Sequence, residues 1–187
     1  MNSETDLGTT IGYEYGPEAG EVSLGEQAVI RSGSVVYCDV SAGDGLVTGH
    51  NVVIREETKL GDDVVVGTNT VIDGSVTIGS HVSIQTGVYI PPNTTIGDHV
   101  FLGPRAVLTN DPYPIRREDP LRGPTIEDHV SIGANATLLS GVTVGEQSFV
   151  GAGAVVTRDV PPRTLAVGSP AEHEPLPEHL DGNNLIK

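Results

Sequence analysis

The chain has 187 residues, of which 37% are hydrophobic, and its formal net charge is −15. This length predicts one domain, or two at most. The apolar fraction is sufficient for a core, so we do not expect the whole chain to be disordered. No apolar run approaches the roughly 18–20 residues that cross a bilayer, and the acidic first residues lack the pattern of a secretory signal. We therefore predict a cytoplasmic protein with no membrane insertion.

The negative net charge limits the kinds of molecule that the protein is expected to bind. There are 25 acidic and 10 basic residues, and the only two lysines are Lys59 and Lys187. A field of this sign repels phosphate backbones, so no nucleic-acid partner is expected. Scattered acids with almost no lysine are typical of proteins from salt-loving organisms, where salt screens self-repulsion; an ordinary acidic cytosolic protein is the alternative. The single cysteine, Cys38, excludes an internal disulfide and a cysteine-based zinc site.

A six-residue repeat occupies most of the chain. Of the 23 positions reached in steps of six from Leu24 to Val156, 19 are Leu, Ile or Val. A small or branched residue usually lies two positions before each aliphatic, which fits the strand period of two. A glycine often follows, where a corner needs conformational freedom. Three hexads then make one triangular turn of 18 residues, and stacked turns make a parallel solenoid. The prediction is an all-β protein of about seven such coils.

Three segments depart from the repeat. Residues 1–20 are predicted to form an N-terminal arm or an incomplete first coil. Residues 21–160 form the solenoid, from which the proline-rich segment 109–125 is expected to extend as a loop. Long ordered loops in compact domains usually have a function. Residues 161–187 contain no hexads and are predicted to be a cap or tail, with a short helix near 174–180.

The repeats, the loop and the segments 150–162 and 167–171 resemble the hexapeptide-repeat acyltransferases over about residues 22–171. Within that superfamily, SIQTGVY at 83–89 and FLGPRAVLTND at 101–111 are similar to the nucleotide-sugar N-acetyltransferases. The resemblance implies a left-handed β-helix, a homotrimer and an active site between adjacent prisms. It also implies acetyl-CoA as co-substrate and a small acceptor, the amine of a nucleotide-linked amino sugar used in surface polysaccharide or glycan assembly.

Acyl transfer needs an acceptor that loses a proton, an aligned thioester and a donor for the oxyanion. His50 is the first candidate for the base or for substrate binding. It lies at a corner, and counting 18 residues places Thr68 and Thr86 above it. It therefore shares an edge with Gln85 and Thr86, which the resemblance assigns to substrate binding. The alternative is a corner histidine that makes only local hydrogen bonds.

The loop supplies the second group of candidates. Asn110 or Asp111 would orient the acceptor amine, and Asp111 is the candidate base if His50 is not. Arg116 would bind a phosphate or carboxylate in a bidentate manner, and Tyr113 would contact the substrate. Alternatively, Asn110 and Asp111 cap a turn, as Asx residues do well. An acceptor that is already unprotonated would need no base at all.

For the co-substrate, the resemblance implies binding by backbone groups near Gly133, Ala134, Gly151 and Ala152. Arg158 would meet a phosphate of CoA. The alternative is that these small residues serve the fold alone. No metal is expected.

A column of histidines leaves a different class of function open as an alternative. His81, His99 and His129 fall on three successive coils, either as a metal or proton-relay ladder or as a solvated outer column. A γ-type carbonic anhydrase would need three histidines that meet on zinc or iron at the subunit cleft. A sugar O-acetyltransferase and a non-catalytic scaffold also stay open.

Overall fold

The computed structural model describes residues 4–186, so Met1–Ser3 of the predicted arm and Lys187 of the predicted tail lie outside the described residues. The fold is a parallel β-solenoid of about eight turns, of the left-handed β-helix type. Each turn has three short strands and three corners. Because side chains alternate along a strand, one residue of each pair is buried and the other faces outward. The predicted all-β solenoid is therefore confirmed.

The strands form three flat faces, and all of them pair in parallel except the last strand of face 1, which is antiparallel. Face 1 consists of Glu4–Thr5, Val29–Ile30, Val47–Thr48, Val65–Val66, Ser83–Ile84, Phe101–Leu102, Ser131–Ile132, Phe149–Val150, Thr164–Gly168 and Ala171–Pro175. Face 2 consists of Thr10–Tyr13, Val35–Tyr37, Val53–Ile54, Val71–Ile72, Tyr89–Ile90, Val107–Leu108, Thr137–Leu138 and Val155–Val156. Face 3 consists of Ser23–Leu24, Ser41–Ala42, Lys59–Leu60, Thr77–Ile78, Thr95–Ile96, Thr125–Ile126 and Thr143–Val144.

The repeat aliphatics form one continuous column along the axis. Ile54, Ile72 and Ile90 on face 2, for example, are all 0% exposed. Because each turn buries its aliphatics against the turns above and below, the core cannot be divided into smaller units. The chain passes from face 1 to face 2 at the first edge, from face 2 to face 3 at the second edge, and from face 3 to face 1 at the third edge.

The N-terminal segment forms an incomplete first turn. Glu4–Thr5 pairs with Val29–Ile30 on face 1, and Thr10–Tyr13 pairs with Val35–Tyr37 on face 2. Strand pairing thus begins at Glu4 rather than near residue 21, which adds a partial turn to the sequence count.

The loop leaves the solenoid at the second edge, between Val107–Leu108 on face 2 and Thr125–Ile126 on face 3. Asn110 ties the two ends of the loop to the solenoid by hydrogen bonds. The Asn110 side-chain amide donates to the carbonyl of Pro92, and its own carbonyl accepts the Arg122 N–H and the Ser140 hydroxyl. The backbone at the base of the loop is therefore fixed to the solenoid.

The C-terminal segment closes the top of face 1. Thr164–Gly168 extends that face, and Ala171–Pro175 turns back along it. A 3₁₀ helix follows at Glu178–Leu180, within the range that the sequence indicated. Asn184 then donates to the carbonyls of His99 and Val130, which fastens the tail to the solenoid. Residues 4–186 contain no helix that could cross a membrane.

Candidate functional site

The first edge brings together most of the predicted site residues. Strand register on face 1 places residues 18 apart in the sequence on successive turns, or 30 apart where the loop intervenes. One column of this edge therefore consists, from bottom to top, of Ser32, His50, Thr68, Thr86, Pro104, Ala134 and Ala152. Gln85, Gly133 and Gly151 lie beside it, each one residue earlier. The candidates for acceptor binding and for CoA binding thus share one edge with His50.

His50 is exposed, and its ring is held on one side only. Its Nδ1 lies 3.0 Å from the Ser32 hydroxyl, and its backbone N–H donates to the Thr68 hydroxyl at 3.2 Å. The other ring nitrogen, Nε2, has no hydrogen-bond partner within residues 4–186. A histidine with one anchored and one open nitrogen can exchange a proton with a bound substrate.

Above His50, the first edge presents backbone donors that have no partner in the described part of the chain. These are the N–H groups of Thr68, Thr86, Ala134 and Ala152. The corresponding N–H groups on the third edge are capped by the side chain one turn above, at 2.7 to 3.0 Å. The capping side chains there are Asp44, Asp62, Ser80, Asp98 and Asp128.

The difference follows from the residue type at one hexad position. On the first edge, that position holds Pro104 above Thr86 and Ala152 above Ala134, and neither side chain has an acceptor. Thr86, above Thr68, has a hydroxyl, but this hydroxyl does not accept the Thr68 N–H in the described chain. The turns nevertheless approach closely, since a Cβ added at Gly103 would meet the Ala134 nitrogen at 2.6 Å. The result is a narrow edge with open donors at Thr68, Thr86, Ala134 and Ala152. Successive turns are about 4.8 Å apart, and the row is interrupted at Pro104, which has no N–H.

Arg105 is a candidate that the sequence interpretation missed. It follows Pro104 on the first edge, is exposed and has a left-handed backbone with φ 59°. Its guanidinium makes no ion pair or hydrogen bond within the described residues. The same 18-residue count that placed Thr86 above His50 places Arg105 above Gly87, and this count was the signal that could have found it.

Arg158 does not lie with the CoA candidates. It occupies the second edge, where its guanidinium is 2.9 Å from the Glu172 carboxylate. The two side chains are 59% and 70% exposed, so the pair contributes little to stability. It nevertheless gives Arg158 a partner within the chain.

The loop candidates also lie at the second edge. The Asp111 carboxylate accepts the N–H of Tyr113 at 2.8 Å, which is the turn-capping role that the sequence left open. Arg117 stacks over the Tyr113 ring at 4.8 Å, and Arg116 is exposed with no ion pair in the described chain. Face 2 separates this edge from the first. Within one chain, the structure therefore does not bring the loop candidates to His50.

A polar cluster lies on the second edge below the loop. Arg55 is 3.0 Å from Asp73 and 2.7 Å from Glu56, and the Tyr89 hydroxyl donates to Asp73 at 2.8 Å. Burial, together with this hydrogen bond to Asp73, raises the pKa of Tyr89 to about 12. Tyr89 is therefore a protonated donor at neutral pH and cannot serve as the base.

The predicted histidine column is present on the third edge. The rings of His81, His99 and His129 are stacked with centroids 4.7 and 4.8 Å apart. Each Nδ1 is buried without a hydrogen bond, although the Asp63 carboxylate lies 3.5 Å from that of His81. The rings are parallel rather than convergent. Between residues 4 and 186, no three His, Cys, Asp or Glu side chains form a group that could hold a metal ion.

The repeats match known families. Residues 75–110 and 123–158 match the family described as bacterial transferase hexapeptide (six repeats), and residues 57–92 match the hexapeptide repeat of succinyl-transferase. No curated protein matches the chain. Over these residues the chain is therefore similar to hexapeptide-repeat transferases, and the matched repeats are the ones that form the solenoid.

Two solved structures, LpxA and WeeI, show the same architecture. LpxA, a UDP-N-acetylglucosamine acyltransferase from Bacteroides fragilis, is 16% identical with a TM-score of 0.60, over 97% of this chain and 75% of that one. WeeI from Acinetobacter baumannii is 21% identical with a TM-score of 0.53, over 91% and 57%. A hexapeptide-repeat acetyltransferase from Vibrio cholerae, solved with acetyl-CoA, is 35% identical with a TM-score of 0.41, over 62% and 61%. The chain thus spans less than two thirds of the latter two proteins.

Proposed function

We propose that the protein is an acetyl-CoA-dependent acetyltransferase that acts on a small acceptor, the amine of a nucleotide-linked amino sugar. Acetyl-CoA is a cytoplasmic metabolite, so the proposal places the protein in the cytoplasm. The observation that carries the proposal is the row of open N–H groups above His50 on the first edge. Surface polysaccharide or glycan assembly would be the setting.

The first edge fits the acyl donor. The pantetheine arm of CoA is narrow and carries amide carbonyls, which accept hydrogen bonds from N–H groups. Thr86 offers such a group two turns above His50. Ala134 and Ala152, four and five turns above His50, continue the row toward the nucleotide end of CoA, and their small side chains let the ligand lie against the backbone. Arg105, whose guanidinium has no partner within residues 4–186, is better placed than Arg158 to meet a CoA phosphate.

His50 acts first as the general base and then as the general acid. Its open Nε2 accepts a proton from the acceptor amine as the amine nitrogen bonds to the thioester carbonyl carbon. The C–S bond breaks, and the proton passes from His50 to the leaving sulfur. The open N–H of Thr68, one turn above, is placed to donate to the developing oxyanion. No covalent intermediate is needed, since the sequence shows no activated nucleophile.

The acceptor would lie between two copies of the chain, in a homotrimer. Gln85 and Thr86 of one copy and Asn110, Tyr113 and Arg116 of the next would line this cleft. The outward residues of the faces support such contacts. On face 2 they are mostly apolar: Val35, Val53, Val71, Tyr89, Val107, Thr137 and Val155. On face 3 they are all polar: Ser23, Ser41, Lys59, Thr77, Thr95, Thr125 and Thr143. Extended apolar rows usually mark interaction surfaces.

Calorimetric titration of acetyl-CoA in molar KCl tests the proposal. We expect saturable binding with one site per chain. Absence of binding, in protein shown by circular dichroism to be folded, would overturn it. With binding established, a panel of UDP-linked amino sugars and their hydroxyl counterparts would then distinguish N- from O-acetylation, by the release of free CoA.

A further inference from the structure

We infer that Ser32, supported by Asp6 of the incomplete first turn, is a positioning residue that holds His50 in the tautomer with a free Nε2 lone pair. The catalytic consequence of this role rests on the proposed function. The positioning itself is a property of three contacts at the bottom of the first edge.

The contacts form a chain along the solenoid axis. The Asp6 carboxylate accepts the backbone N–H of Ser32 at 3.2 Å, and the Ser32 hydroxyl lies 3.0 Å from His50 Nδ1. The His50 backbone is held separately by the Thr68 hydroxyl at 3.2 Å. The ring is therefore fixed by Ser32, and the main chain by Thr68.

The direction of the Ser32–His50 hydrogen bond decides the tautomer. A hydroxyl can donate to Nδ1, which puts the imidazole hydrogen on Nε2, or it can accept from Nδ1–H, which leaves Nε2 bare. Only the second arrangement lets Nε2 take a proton. The base role proposed for His50 requires this second arrangement, in which the Ser32 hydroxyl accepts from Nδ1–H.

Through Asp6, the N-terminal segment holds Ser32 next to His50. Glu4–Thr5 would extend face 1 with any side chain at position 6, because its pairing with Val29–Ile30 uses backbone groups. Asp6 contributes a carboxylate, which accepts hydrogen bonds and cannot donate them when it is ionised. By accepting the Ser32 N–H, Asp6 fixes the backbone from which the Ser32 hydroxyl reaches His50.

Nitrogen-15 NMR of the imidazole rings in the full chain tests the inference without any substrate. The six histidines are labelled, and His50 is assigned by its loss in His50→Asn. In the neutral ring, we expect hydrogen on Nδ1. In Ser32→Ala we expect it to move to Nε2, and in Ser32→Thr to stay on Nδ1.

Two results would overturn the inference: hydrogen on Nε2 of His50 in the unaltered protein, or an unchanged tautomer in Ser32→Ala. Ser80→Ala is the matched control, because Ser80 caps a backbone N–H on the third edge, and it should leave the His50 signals in place. Circular dichroism checks that each variant is folded.

Kinetics separate this inference from the proposed function. With an acceptor found in the panel, Ser32→Ala should lower kcat about tenfold or more, while KM for acetyl-CoA stays near its original value. Ser32→Thr should restore the rate. If acetyl-CoA does not bind, the proposed function fails while the NMR result still decides the role of Ser32.

Discussion

The first and third edges of the solenoid have the same backbone arrangement, but they differ in whether side chains cap their backbone N–H groups. On the third edge, side chains such as Asp62 and Asp98 cap the N–H groups of the turn below. On the first edge, Pro104 and Ala152 occupy the corresponding position, and the N–H groups of Thr86 and Ala134 below them have no partner within residues 4–186. One position in each hexad therefore decides whether an edge is closed by its own side chains or is free to bind a ligand.

The two edges also differ along their length. The first edge is capped at its lower end, where Asp6 and Thr68 accept the N–H groups of Ser32 and His50. It opens only from Thr68 upward. The candidate base thus lies where the capped and open parts meet, which is the point that an acyl group at the end of a bound arm would reach.

The largest expected effect comes from closing the open edge. Ala152→Asp places a carboxylate where it can cap the Ala134 N–H, as Asp62 caps Asp44, and it adds a charge that repels the phosphates of CoA. Loss of one hydrogen bond together with repulsion should weaken acetyl-CoA binding about a hundredfold, measured by calorimetry. Ala152→Asn caps without charge and should show the smaller part of this effect. Unchanged affinity in both variants would remove the open donors from the CoA site.

The two histidine sites can be compared directly by one substitution. His50→Asn should lower kcat about a hundredfold with little change in acetyl-CoA affinity, because only proton transfer is lost. His99→Asn, on the third edge, should keep the full rate, since asparagine tolerates the left-handed backbone at that position. Steady-state kinetics would check both, and an equal loss in the two variants would contradict the assignment of His50 as base.

Two arginines compete for the phosphate of CoA. Arg105→Asn should weaken acetyl-CoA binding about fivefold at low salt, and this difference should shrink in molar KCl as the charges are screened. Arg158→Asn should have no effect, because Arg158 is paired with Glu172 on another edge. The reverse result, with affinity lost only in the Arg158 variant, would favour the assignment made from sequence.

Opening the closed edge should affect stability alone, and by the smallest amount. Asp98→Ala leaves the Ser80 N–H without its cap, which should lower the free energy of unfolding by about 1 kcal/mol. Asp98→Asn keeps an acceptor and should be near the original stability. Thermal unfolding followed by circular dichroism measures both, and calorimetry should find acetyl-CoA binding unaltered. Weaker binding in either variant would extend the site to the third edge.

The sequence by itself determined the parts that depend on the six-residue period. The buried aliphatic column, the shared edge of His50, Thr68 and Thr86, and the stacked column of His81, His99 and His129 all follow from counting in steps of 18, or of 30 where the loop intervenes. The physical reason is that parallel strands with a fixed number of residues per turn can stack in only one register.

Only the tertiary structure decided the contacts that the period does not fix. Glu4–Thr5 pairs with residues 25 positions later, outside the 18-residue count, so Asp6 could not be placed beside Ser32 from sequence. The pairing of Arg158 with Glu172 depends on the turn-back of the cap. The N–H groups of the first edge are open where the residue one turn above has no acceptor side chain, as with Ala152 above Ala134. Pairing between residues far apart in the sequence depends on the three-dimensional arrangement of the whole chain. So does the set of N–H groups that stay without a hydrogen-bond partner, and neither can be predicted from a six-residue repeat.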